Sequence, residues 1–158
     1  MTTITPQPAT GSANAKYPEL LRMGHRFVTS IGQRLVVDGF YGAMDFAFGG
    51  DGWFYVLNRY DSNPSQPKVR FAVCNIDDEF PRNIDPRVDG QSLAGRKDQW
   101  GSAVFCDSDQ KGNLFFTDER ANQVVTMSQE QGDVTAVWGE SGSKAGQLDG
   151  ASGITYLA

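Results

Sequence analysis

Asp51-Gly52-Trp53-Phe54-Tyr55-Val56-Leu57-Asn58-Arg59 is the stretch that decides the fold. An apolar run, Met44 to Phe48, leads into a glycine, and an aromatic and aliphatic run leads out of it to a polar end, which is the pattern of strand, tight turn, strand. The chain says this again at Lys111-Gly112-Asn113-Leu114-Phe115-Phe116-Thr117-Asp118-Glu119, entered from Ala103 to Cys106, and opens it a third time at Ser152-Gly153-Ile154-Thr155-Tyr156. Gly52 and Gly112 are 60 residues apart (112 − 52 = 60), and Ser102 and Ser152 are 50 apart (152 − 102 = 50). Self-similarity at such a period, built of short strands, predicts a repeat array.

Units of this size predict four-stranded antiparallel blades of a β-propeller, since a blade takes roughly 40 to 45 residues and closure takes about 4 to 8 blades. A first blade is expected over about 43–85, with strands at Ala43 to Phe48, Trp53 to Asn58, Lys68 to Asn75 and a poorly marked fourth after Asp78. A second is expected over about 102–138, with strands at Ser102 to Asp107, Asn113 to Asp118, Gln123 to Ser128 and Asp133 to Trp138. Ser152 to Leu157 would begin a third over 152–158, and His25 to Gly32, whose best internal match is Asp133 to Gly139, would be a leading strand. Two blades leave open strand edges, which template pairing with other chains. The expectation is therefore a partial propeller over 17–158, completed by a longer parent chain or a different partner protein in preference to a ring of copies.

The stretch from Gly112 to Ile154 resembles an NHL repeat. It carries Gly112-Asn113-Leu114-Phe115, Asp118, Asn122, Val124-Val125, Gly132, Trp138-Gly139, Gly142 and Gly146-Gln147-Leu148 before Gly153-Ile154. The first unit departs from the pattern with Asn58 in place of the Asp, a longer loop before Val69 and no clear Gly-Gln link, and Ser152 stands where a proline is common. The resemblance implies a propeller of six blades that serves as a platform for protein or RNA partners. Related propellers include lyases and lactone hydrolases, so fold alone does not choose the function.

Composition bounds the alternatives. Hydrophobic residues at 39%, aromatics at 11% and 18 glycines suit a core with many turns. No window approaches the ~18 consecutive apolar residues of a membrane span. Residues 1–16 lack the basic start and apolar run of a signal peptide and read as a flexible polar tail, which makes the expected location cytoplasmic. A formal net charge of −5 argues against nucleic acid as a partner. Cys74 and Cys106, each in an apolar run on a different blade, read as buried free thiols.

Catalytic chemistry finds little support in the residue types. The amidating-lyase relatives hold zinc through several histidines, whereas this chain has 1, His25. Gly150-Ala151-Ser152-Gly153 fails the spacing of a nucleophile elbow. Asp107-Ser108-Asp109 lacks the spacing of a calcium loop and reads as a turn. Asp118 reads as a side chain that hydrogen-bonds a turn between strands. No cofactor or metal is expected.

Two insertions interrupt the minimal blade. Arg59 to Pro67 lengthens the loop after the second strand, and Pro81 to Trp100 lengthens the link into the second blade. In a four-stranded antiparallel blade both should emerge on one face, and long loops on a rigid scaffold commonly carry binding. The expected partner-binding residues are Arg59, Tyr60, Arg87, Arg96, Lys97 and Trp100, of types enriched at interface hot spots. The sequence thus reads as a noncatalytic interaction module presenting a loop-rich face to a protein partner. The alternative is a portion of a propeller enzyme, a lyase or a lactone or ester hydrolase, whose catalytic residues lie outside this chain.

Overall fold

The computed structural model describes residues 29–32, 40–60, 67–92 and 100–157, apart from the side chains of Tyr60, Pro67 and Lys68. His25 and the polar tail lie outside the described residues. Strands β1 (Ala43–Phe48), β2 (Phe54–Tyr60), β3 (Pro67–Cys74) and β4 (Arg82–Ile84) form one antiparallel sheet in sequential order. A short hairpin, β5 (Arg87–Val88) and β6 (Gln91–Ser92), follows. Strands β7 (Ala103–Ser108), β8 (Asn113–Asp118), β9 (Gln123–Ser128) and β10 (Val134–Trp138) form a second sequential sheet of the same kind. The described residues are all β, without a helix, and neither sheet closes on itself.

The first hairpins of the two sheets are copies down to a shared bulge. Phe46 faces Val56 in the first and Cys106 faces Phe116 in the second, so both partners shift by 60. The same bulge recurs, between Ala43 and Asp45 and between Ala103 and Phe105. Gly52 and Gly112 hold matching turn positions at φ 86° and 111°, where a side chain would be strained. Asn58 takes over the task of Asp118: its Oδ1 accepts the Tyr41 N–H at 2.9 Å, as Asp118 Oδ2 accepts the Ser102 N–H at 2.8 Å. Asp118 also accepts the N–H groups of Arg120 and Ala121, so this buried carboxylate ties down the β8–β9 turn.

Strand alternation puts one face of each sheet into a shared core. Tyr55, Leu57, Phe71 and Val73 of the first sheet meet Leu114, Phe116, Val125 and Met127 of the second. Burying each large side chain of this set contributes about 1.5–3 kcal/mol. Three hydrogen bonds spaced along β7 lock it to the first sheet. The Cys106 N–H donates to Asp45 Oδ2 at 3.0 Å, the Ser108 hydroxyl donates to the Phe48 carbonyl, and Arg59 Nε donates to the Ala103 carbonyl at 2.9 Å.

Residues 151–157 form no strand, in contrast to the expectation of one at Ser152 to Leu157. Among the described residues they have no ladder partner, and a single segment cannot hold β structure without one. They lie instead on the outward face of the second sheet, where the Tyr156 N–H donates to Asp107 Oδ2 at 2.8 Å and the Tyr156 ring stacks on Phe115 at 5.8 Å.

Cys74 and Cys106 are buried and free. Burial pushes the Cys74 thiol from 9.0 up to about 11, with the charge of Asp78 adding to it, and pushes Cys106 up further. A group whose folded pKa is raised contributes stability that is intact below its unfolded pKa and lost as pH climbs through the folded one. The urea midpoint should therefore hold up to pH 9.0 and fall as pH is raised toward about 11. At pH 8 an aromatic disulfide reagent should label neither thiol until urea unfolds the chain, and rapid labelling of the native protein would show that the thiols are not sealed.

Candidate functional site

A polar recess lies where the turns of the two sheets meet. Its walls are the β1–β2 turn (Gly50, Asp51), the β7–β8 turn (Gln110 to Gly112), the end of β9 with Gln129 and Glu130, and Arg82 at the start of β4, enclosing about 520 Å³. A Cβ on Gly50 would run into the backbone carbonyl of Gln110, so glycine there lets the two turns touch. The β7–β8 turn is braced by Asp109, whose carboxylate accepts the N–H groups of Lys111 at 2.7 Å and Asn113 at 3.0 Å. Burial acts to raise the Asp109 pKa, but the bonds from Asn113 and Lys111 outweigh it and hold the carboxyl below its ordinary range.

The floor of the recess is a chain of polar groups spanning the sheets, with Tyr55 and Gln129 buried at its centre. The Tyr55 hydroxyl donates to Asp51 Oδ2 at 2.6 Å and accepts from Gln129 Nε2 at 2.7 Å. Because the phenolic proton goes to Asp51, the Gln129 amide must turn its nitrogen to the phenol. Arg82 donates from above to the Gln129 carbonyl at 3.3 Å. Burial, followed by the bond to Asp51, raises the Tyr55 pKa, which keeps the phenol protonated and donating. Arg82 and Lys111 bring two cations to the rim, while Asp51 and Glu130 bring two carboxylates, so the recess is a mixed-charge surface.

The residues expected to bind a partner are divided between the two ends of the sheets. Arg59 is held by Ala103 and by an ion pair to Glu119 at 2.8 Å, and so braces the sheets together. Trp100 is an interior residue, 6% exposed, set edge-on to Phe116 at 5.8 Å with its indole N–H given to Gln123 at 2.9 Å. Tyr60 closes β2, with its side chain outside the described residues, and Arg96 and Lys97 lie outside them altogether. Arg87 is exposed, but its N–H donates to the Gly132 carbonyl in the β9–β10 turn at 2.8 Å. Gln123 opens β9 and Gly132 follows its end, so Arg87 and Trp100 sit at opposite ends of the second sheet. The chain after β4 runs to the turn end and forms the β5–β6 hairpin there. Asp89 and Gly90, at φ 51° and 72°, supply the hairpin's left-handed turn.

Sequence reasoning missed Tyr55, Gln129 and Arg82. Tyr55 and Gln129 are 74 residues apart, and nothing local marks them as partners. The nearest signal was Asp51, four residues before Tyr55 across a glycine turn.

No protein-family model matches this chain, and no curated protein is similar enough to count as a relative. Among the described residues no group of three or more His, Cys, Asp or Glu side chains is placed to hold a metal. No helix among them is long and apolar enough to cross a membrane.

Replacing Tyr55 by Phe removes one hydroxyl and strands the Gln129 amide in the interior. The expected cost is about 1–3 kcal/mol, read as a lowered urea midpoint with the slope unchanged. A neutral result would mean that the floor is wet and the network dispensable.

Proposed function

We propose that this chain is a noncatalytic interaction module with propeller-type, NHL-like blades, and that it meets a protein partner through the turn end of its sheets. The observation that carries this reading is the recess at the junction of two repeat units, where short turns braced by Asp109, Tyr55 and Gln129 hold Arg82, Lys111, Asp51 and Glu130 on a rigid frame. Side chains displayed at the ends of a packed scaffold are well suited to recognition, because little ordering is left to be done on binding. Arg87, beside the Gly132 turn, extends the same surface. Arg59 and Trp100 serve the scaffold from the other end, which leaves Arg87, among the described members of the expected set, best placed for contact.

The propeller reading draws support from a repeated geometry. The first sheet passes to the second through a carboxylate on its inner strand, Asp45, that receives the Cys106 N–H; the second passes to residues 151–157 through Asp107, which receives the Tyr156 N–H. Two successive steps of one kind suit a radial array.

Charge reversal tests the assignment of the surface. Arg82→Glu with Lys111→Glu should weaken capture of a protein partner by at least about tenfold, roughly 1.4 kcal/mol, without altering the circular dichroism. Undiminished capture would remove the turn end from the interface. Turnover of a lactone or an ester by the purified chain, lost with neither substitution, would favour the enzyme reading instead.

A further inference from the structure

The outward face of the first sheet carries a contiguous apolar surface. Strand alternation places Phe46, Val56 and Ala72 in one row and Phe48, Phe54 and Cys74 in the next. Phe46 is 52% exposed and Phe48 is 55% exposed. Their rings and that of Phe54 meet edge-on, with centroids 5.1–6.5 Å apart, beside an apolar recess of about 440 Å³. Contiguous apolar surface of this kind marks a site that something covers.

Two features of the fold say what covers it. Ile31 and Phe40 already pack on Val56 and Cys74 at one side of the recess, so the described residues nearest the N-terminus stand beside this face. Gly32 also repeats Gly139: their φ values are 88° and 94°, and a Cβ on either would collide with an apolar side chain of the following link, Phe40 in one case and Leu148 in the other. The residues before Gly139 are β10, the outer strand of its unit. By this parallel the residues before Gly32 correspond in sequence to β10. The sequence there carries Tyr17, Leu20, Leu21, Met23, Phe27 and Val28 among the charged Glu19, Arg22 and Arg26, an amphipathic mixture, whereas residues 1–16 are mainly polar.

We propose that residues 17–28 dock on the outward face of the first sheet, with Leu20, Leu21 and Met23 covering Phe46 and Phe48. Reach is ample: the residues between Leu21 and Ile31 extend to roughly 33 Å, while the width from β1 to β3 is only about 10 Å. The segment would thereby keep an aggregation-prone aromatic face from other chains.

Nuclear Overhauser spectra of the full chain, with labelled Leu and Met methyls and Phe rings, test this directly. Cross-peaks from the Leu20, Leu21 or Met23 methyls to the Phe46 and Phe48 rings are expected. Leu21→Asp should raise binding of an apolar fluorescent dye several-fold, and removal of residues 1–16 should leave it unchanged. Absence of those cross-peaks together with a silent Leu21→Asp overturns the proposal. Cross-peaks arising only between differently labelled copies, with a doubled mass in sedimentation, would overturn it in favour of a second copy as the occupant.

Discussion

The inner edge of the second sheet would be costly to bury if its outward-pointing N–H groups found no acceptor. Asp45 supplies one by accepting the Cys106 N–H at 3.0 Å. That single requirement constrains much else. The Asp45 side chain must point at the second sheet, so strand alternation turns Phe46 and Phe48 to the other face. The bulge between Ala43 and Asp45 sets where the alternation begins. With β7 fixed by Asp45 in its middle, Ser108 and Arg59 secure its two ends, and the core of Tyr55, Leu57, Phe71, Leu114, Phe116 and Met127 closes between the sheets.

Rigid stacking also explains where recognition chemistry can reside. A polar chain through Tyr55 and Gln129 crosses the interface and opens at the turn end, where Arg82 and Lys111 stand. At the other end the charged and aromatic side chains are engaged by the scaffold: Arg59 by Ala103 and Glu119, Trp100 by Phe116 and Gln123. A cation bonded to both a backbone carbonyl and a carboxylate contributes to cohesion, which ties Arg59 to the scaffold.

Local pattern carried the strands well. Asn113–Asp118 and Gln123–Ser128 stand where alternation and the Gly112 turn put them, and Asp118 ties a turn as its short side chain suggests. Single-residue shifts at Ala103–Ser108 and Val134–Trp138 arise where turn and strand compete for one residue. Two other features were illegible for physical reasons. Residues 151–157 have the composition of a strand, but strand formation needs a ladder partner, and composition does not report one. Arg87 and Trp100 fall in one insertion, yet they stand at opposite ends of the second sheet, Arg87 bonded to Gly132 and Trp100 to Gln123, and no nearby residue type reports those partners. The recess escaped notice for the same reason, since its floor is closed by residues 74 apart.

Amide hydrogen exchange of Asp45→Ala against the parent chain probes the central claim most directly. If the carboxylate of Asp45 is what satisfies the edge of β7, exchange of the Cys106 amide should accelerate by at least about tenfold, roughly 1.4 kcal/mol. The amide of Val125, within the interior of the sheet, should keep its protection. An unchanged Cys106 amide, or an equal loss of protection across β8 and β9, would contradict the account.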